Sequence, residues 1–409
     1  MPERHPDTAA VHAGRFVVPL NPASSPPLFQ ASSYEFDDLE DVEDIYAGRR
    51  PGAIYGRYGG PNALQFESAI AELEGAEEAV GSSAGMSAID AALRTNLGAG
   101  DAVVATRELY GGTHILLEND YRKAGVRVAY VDQQDPEAVA AALARERPKV
   151  LYVEALTNPL VHVADLPALA RAAHAAGAIL VVDATFATPV LVRPLAHGAD
   201  LVVHSVGKYL GGHGDVGAGV LAGRADLVAA ARDYLVRRGA TLPHFEAWLA
   251  LRGLRTLGLR MERHSANAAA VAAALAADAR VAALRHPSLP GHPQHAAAAR
   301  LYPRGTGGIL AFDLPGGRAA VDAFFRRLRM VAIVHSLGEV ATTISYPAAS
   351  SHRMLSADER RALGVGDGTV RVSCGIERAE DIVADLVQAL DALGLARPGF
   401  AGLGQRVEA

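Results

Sequence analysis

Between about Leu64 and Leu221 the chain alternates short apolar runs with longer stretches of helical period. The runs are Ala102 to Ala105, Val126 to Val131, Val150 to Val153, Ile179 to Val182 and Leu201 to Val203. Each is continuously apolar, as expected of a strand covered on both faces, and helices between such strands predict a mainly parallel sheet. The pattern then changes. An Ala- and Leu-rich stretch from about Phe245 to Leu275, with arginines at 252, 255, 260 and 263, predicts a linking helix. Beyond it, 308–314, 331–334, 342–345 and 369–373 read as strands, and 318–328 and 379–393 as helices. That is an α+β pattern with an antiparallel sheet. Residues 1 to about 60 are rich in Pro, Ser and Gly without periodicity, so they cannot form a core and are expected to wrap another surface. The expected division is an arm over 1–63, a large α/β domain over 64–260 and a C-terminal domain over 261–409.

In a parallel sheet, ligands bind beyond the carboxyl ends of the strands. The run Ile179–Val182 ends in Asp183-Ala-Thr185-Phe, and Tyr152-Val ends in Glu154, followed by Asn158-Pro159. A carboxylate at the mouth of a buried sheet is costly unless a cation or hydrogen bonds compensate it. Leu201-Val-Val-His-Ser205 leads to Lys208. A short strand after Glu77 breaks into Gly-Ser-Ser-Ala-Gly85-Met86, a helix start whose free amides and dipole favour a phosphate. Singly, each feature has a bland explanation. A strand-terminal Asp commonly caps a helix, and a Ser-Gly helix start commonly binds nothing.

Composition sharpens the reading of Lys208. Of 39 basic residues only three are lysines, and the other two, Lys123 and Lys149, lie in polar lead-ins to strands. Arginine serves as a surface cation but cannot deprotonate at a useful pH, whereas a desolvated lysine can form an imine with a carbonyl. An imine-forming lysine, an Asp able to pair with a pyridinium nitrogen and a phosphate cradle are the handles that hold pyridoxal 5'-phosphate. The net charge of −6 and scattered arginines leave no footprint for nucleic acid. The single cysteine, Cys374, excludes an internal disulfide framework. No apolar run is long enough to span a bilayer and the first residues do not read as a signal peptide, so a cytoplasmic protein is expected. His204 and His213 flank the lysine segment without a third ligand at metal spacing, and are expected to be hydrogen-bonded pocket residues.

Four further segments carry a resemblance: Leu109-Tyr-Gly-Gly-Thr113, Val182-Asp-Ala-Thr-Phe-Ala-Thr-Pro189, Gly198-Ala-Asp-Leu-Val-Val-His-Ser-Val-Gly-Lys-Tyr209 and Leu251-Arg-Gly-Leu-Arg-Thr-Leu257. Together they resemble the pyridoxal-phosphate enzymes of cysteine and methionine metabolism. That family includes cystathionine γ-synthase, cystathionine γ-lyase, methionine γ-lyase and the O-acylhomoserine sulfhydrylases. The resemblance runs from Thr8 to Glu377 and implies the fold type I architecture of pyridoxal-phosphate transferases. It implies that Lys208 links to the cofactor and serves as catalytic base, Asp183 pairs with the ring nitrogen, and Tyr110 stacks on the ring. Gly85, Met86, Thr185 and Ser205 would hold the cofactor, with Asn158 at the ring oxygen. Tyr55 and Arg57 would reach the phosphate of a partner subunit, giving a homo-oligomer, by family habit a tetramer built of dimers with shared active sites. Arg371 would clamp the α-carboxylate of a small amino-acid substrate, assisted by Ser336 and Asn158.

Departures from the family pattern bear on affinity and substrate. Gly207 stands where a Thr commonly precedes the lysine, Ala84 and Ala184 replace polar residues, and Gly60-Pro61-Asn62 replaces Asn-Pro-Thr. Ile115 stands where members acting on cystathionine carry an arginine, so a charged distal group is expected to lack a partner. Gly112 replaces the cysteine of methionine γ-lyases, and Ala341 falls where a Glu is common. The activity implied is a C–S lyase performing γ-elimination on methionine, homocysteine or cystathionine. The alternatives are γ-replacement by a cystathionine γ-synthase or O-acetylhomoserine sulfhydrylase, an aminotransferase, and a cofactor-binding regulator without turnover.

Overall fold

The five apolar runs form a parallel core of strands, extended at one side by two more. The computed structural model describes residues 5–12 and 23–393. Parts of the expected arm (1–4 and 13–22) and the end of the expected C-terminal domain (394–409) therefore lie outside the described residues. The strands are β1 (Glu78–Ser82), β2 (Ala102–Thr106), β3 (Arg127–Val131), β4 (Val150–Glu154), β5 (Ile179–Asp183), β6 (Leu201–Ser205) and β7 (Gly219–Gly223). Their order is β1-β7-β6-β5-β4-β2-β3. All neighbours are parallel except β7, which runs antiparallel to both β6 and β1. Two reversals cancel, so β1 points the same way as β6, and its carboxyl end lies on the same edge as those of β4, β5 and β6. Register places Glu154 beside Asp183, while Ser82 and Ser205 both pair with Gly219.

Alternation with both faces apolar keeps these ends in place. Val150, Tyr152, Val181, Leu201 and Val203 pack on one face of the sheet, and Leu151, Val153, Leu180, Val182 and Val202 on the other. Each buried Val or Leu contributes roughly 1.5–3 kcal/mol, enough together to offset the cost of carboxylates at the strand ends. β7 is not among the strands expected from the sequence; Gly219-Val-Leu-Ala-Gly223 follows a glycine-rich stretch and is itself bounded by glycines.

The second sheet has β8 (Ala283–Arg285), β9 (Ile309–Asp313), β10 (Ala332–Ile333), β11 (Thr343–Ser345) and β12 (Thr369–Ser373), in the order β10-β11-β12-β9-β8. Against expectation it is mixed, since β10 and β11 are parallel. The linking helix also differs, being two: His244–Leu254 and Leu257–Ala276. Bonds spanning three residues, from Arg255 N to Arg252 O and from Thr256 N to Gly253 O, close the first helix. The second runs through the expected domain boundary at 260 and, with the helix Ala379–Asp391, covers a core cluster under the second sheet.

Candidate active site

A cavity of about 440 Å³ lies between the carboxyl edge of the large sheet and the second sheet's domain. The helix Gly85–Arg94 supplies Gly85 and Met86, β5 and its continuation supply Asp183 and Thr185, and β6 with the following loop supplies Ser205 and Lys208. Tyr110 and Asn158 come from the loops after β2 and β4, and the second domain contributes Ser336 and Arg371. Ten of the twelve residues singled out in the sequence thus converge on one space.

Lys208 Nζ donates to Ser336 Oγ at 3.0 Å. Burial, and after it the neighbouring Arg371 guanidinium, hold its pKa below the ordinary lysine value, with Glu339 acting in the opposite direction. The lysine loop is fixed from behind by Arg260, a buried arginine whose guanidinium donates to the carbonyls of Tyr209 (2.6 Å), Leu210 (3.3 Å) and Gly253 (2.8 Å). The sequence had shown Arg260 only as one of four helical arginines.

Asp183 accepts from Thr185 N at 2.9 Å and from Tyr152 OH at 3.3 Å. Burial raises its pKa, while Thr185 and Tyr152 favour the carboxylate. A cation arriving over this end of β5 would complete the compensation. Thr185 also takes a bond from Ser205 N at 2.9 Å, which ties the ends of β5 and β6 together.

Glu154 is buried and plays a part the sequence did not reveal. Its Oε1 accepts from Tyr110 N at 2.6 Å and its Oε2 from Asn158 N at 3.1 Å, so one carboxylate positions two cavity loops. Burial, then the nearby Asp183 charge, push its pKa well above the usual range.

Arg371, 5% exposed, lies in β12 and donates to Asn158 Oδ1 and to the Ser336 carbonyl, both at 3.0 Å. Burial lowers its pKa to about 10, so it stays charged at neutral pH. Its Nε is buried and has no partner among the described residues.

Tyr55 and Arg57 do not line this cavity. Tyr55 is 46% exposed, and Arg57 donates to the Val236 carbonyl at 3.1 Å with its guanidinium over the Tyr58 ring at 4.7 Å. His204 and His213 were expected in the pocket, and neither lines it. His204 Nε2 lies 2.6 Å from Glu74 Oε1, both buried in the fold, and His213 Nδ1 lies 2.8 Å from the Gly211 carbonyl. His204 continues the buried run Leu201–Val203 of β6 and is a core residue. Among the described residues no group of three His, Cys, Asp or Glu could hold a metal, and no helix is long and apolar enough to cross a membrane.

Two glycines report close packing. A Cβ on Gly112 would sit 2.5 Å from the Tyr110 ring, so that ring fills the space a side chain at 112 would need. A Cβ on Gly207 would sit 2.4 Å from the Val216 carbonyl oxygen, so the loop itself takes the room that a threonine would occupy. Among the residues missed entirely, Ser350, Ser351 and Arg353 line the cavity from the turn after the Tyr346-Pro347 pair. No local signal marked them, because their proximity depends on how the second domain docks.

The donor set suits pyridoxal phosphate. An amine and a carboxylate face one cavity, and the helix beginning at Gly85 has Ala84 as its N-cap, with no side chain to satisfy its first amides. Gly85 also lies so near Ser205 that a Cβ would come within 2.8 Å of the Ser205 Cβ, which leaves bare backbone at the cradle.

Comparison with known proteins agrees. Residues 7–391 match the family model described as Cys/Met metabolism PLP-dependent enzyme. The chain is 41% identical over 387 residues to an O-succinylhomoserine sulfhydrylase of Pseudomonas aeruginosa, covering 95% of each. It is 39% identical to an L-methionine gamma-lyase of Porphyromonas gingivalis, covering 94% of this chain and 97% of the relative. A solved cystathionine gamma synthase from Xanthomonas oryzae superposes with a TM-score of 0.90 at 38% identity, over 95% of this chain and 98% of that one. The chain belongs to the Cys/Met metabolism PLP-dependent enzymes, and its cofactor is pyridoxal 5'-phosphate.

Proposed function

We propose that the protein is a C–S lyase of sulfur amino acid metabolism. It performs γ-elimination on methionine, homocysteine or cystathionine: each, with one water, gives 2-oxobutanoate and ammonia, together with methanethiol, hydrogen sulfide or cysteine respectively. The observation that carries this reading is the half-buried Lys208 amine, held 3.0 Å from Ser336 Oγ with a lowered pKa in the same cavity as Asp183 and Arg371.

When bound, the cofactor supplies an electron sink for charge developing at the substrate's Cα. Asp183 would pair with the ring nitrogen and hold its proton. Arg371 receives the substrate's α-carboxylate, for which a planar guanidinium fork is suited, and Asn158 and Ser336 hold that fork in place. Lys208 would take the Cα proton, since a lowered pKa leaves more of it in the neutral, basic form. Tyr110, 43% exposed at the cavity, is positioned to give a proton to the departing sulfur. Gly85, Met86 and Ser205 would cradle the cofactor's phosphate end, and Thr185 would add to the cofactor site.

Tyr55 and Arg57, exposed and outside their own cavity, serve the phosphate of a partner subunit, so the working unit is at least a dimer, and two such dimers form a tetramer. Residues 1–63 are that arm, 64–260 the cofactor-binding domain and 261–409 the C-terminal domain. The enzyme acts in the cytoplasm.

A second reading, γ-replacement by an incoming thiol, shares every step up to loss of the γ-substituent. Gly112 favours it, because the Tyr110 ring occupies the place where methionine γ-lyases carry a cysteine side chain. The discriminating assay supplies methionine, homocysteine, cystathionine and O-acetylhomoserine separately to the holoenzyme, with and without a thiol, and quantifies 2-oxobutanoate and new thioether. Oxo acid without added thiol is the expected result; thioether formed only from the acylated substrate assigns γ-replacement instead.

A further inference from the structure

The charged groups of the cavity are committed, with one exception. Glu154 is held by two amides, Asp183 by Thr185 and Tyr152, and Arg371 by Asn158 and Ser336. Lys208 rests on Ser336. Arg353 lines the same space, is exposed, and among the described residues has no carboxylate partner. Nearby arginines differ: Arg360 pairs with Asp367 at 3.6 Å, and Arg361 pairs with Asp358.

The backbone that carries Arg353 is fixed. Ser350 Oγ donates to the Tyr346 carbonyl at 2.7 Å, His352 N to the Pro347 carbonyl at 2.9 Å and Leu355 N to the His352 carbonyl at 3.2 Å. Its neighbour His352 is buried, with Nδ1 2.8 Å from Ser351 Oγ. The turn also presses on the Tyr110 loop, since a Cβ on Gly111 would come within 2.0 Å of the Ser351 carbonyl oxygen. An arginine on a rigid base, open to the cavity and lacking an internal counterion, is preorganised for an anionic part of a ligand.

We propose that Arg353 is a specificity-determining residue that receives a terminal carboxylate on the γ-substituent. The substrate class is then a γ-substituted amino acid whose substituent ends in a carboxylate, as in cystathionine or O-succinylhomoserine. This inference rests on the proposed function, in which Arg371 takes the α-carboxylate and Lys208 the Cα proton. It also revises the expectation from Ile115: the helix Gly111–Leu116 brings no arginine, and the turn after Pro347 supplies a cation from another domain.

The test compares the holoenzyme with its Arg353→Met and Arg353→Lys variants. Cystathionine, O-succinylhomoserine, methionine and O-acetylhomoserine are each titrated while the cofactor absorbance is followed, and kcat/KM is measured for each. With Arg353→Met, affinity for a carboxylate-ended ligand relative to a neutral one is expected to fall about tenfold or more, the size of one lost charged hydrogen bond. Arg353→Lys falls between. Losing the preference for cystathionine alone, or for O-succinylhomoserine alone, identifies which of the two the site reads. Equal loss across all four ligands, no change, or failure of both carboxylate-ended ligands to bind the unmutated enzyme overturns the proposal. Binding without turnover of any ligand would overturn the proposed activity while still deciding the role of Arg353.

Discussion

Glu154, Asp183 and Ser205 end three neighbouring strands of one sheet, whereas Ser336, Ser351 and Arg353 sit on loops between the short strands of another. The first wall is anchored by fully buried apolar neighbours and by bonds from strand end to strand end. The second is held by turns and by a few side chains such as His352. Rigid placement suits a cofactor that every turnover reuses, and loop placement suits the part of the site that meets different γ-substituents. Effects on the first wall should therefore be large and indifferent to substrate, while effects on the second should be smaller and selective.

Lys208→Ala puts the strongest strain on this contrast. It removes the imine-forming amine and the proposed base together, so turnover of every substrate should fall roughly a thousandfold or more. The visible band of the lysine-linked cofactor should disappear, and dialysis should strip the cofactor. A substrate-dependent loss would contradict a uniform cofactor wall.

Gly207→Thr asks whether that wall tolerates the residue common at this position in the family. The Val216 carbonyl lies where the new Cβ must go, and overpacking of this kind typically costs about 1–3 kcal/mol. The variant should unfold at lower denaturant concentration and bind the cofactor more weakly. Tighter cofactor binding would mean that the loop yields and that the first wall is less rigid than its packing implies.

The same contrast explains what could be read in the sequence. Asp183 and Lys208 were legible because an apolar run ending in a polar residue is a local signal, and a parallel sheet turns that signal into a shared edge. β7 escaped because its five residues are bounded by glycines, although its reversed direction is what brings Gly85 to that edge. Glu154 was visible as a strand end, but its hold on Tyr110 and Asn158 joins residues 44 and four positions away and needed the fold. Arg353 had no local signal at all. Among 36 arginines, only docking of the second domain distinguishes it.

The smallest effect expected concerns the second wall alone and is read through pH. Burial, and then the Arg371 and Arg360 charges, lower the His352 pKa from 6.5 to about 4. A histidine depressed in the folded state takes up its proton more readily when its surroundings open. Its contribution to order is therefore intact above about pH 6.5 and is lost progressively as pH falls towards 4. Across that window, amide exchange in residues 347–355 should accelerate before exchange in β4, β5 and β6, and discrimination between carboxylate-ended and neutral substrates should weaken. His352→Gln should flatten this dependence, because glutamine can still bond to Ser351 but does not titrate. If the strand ends loosened in step with the turn, the two walls would behave as one cooperative unit and the distinction between them would fail.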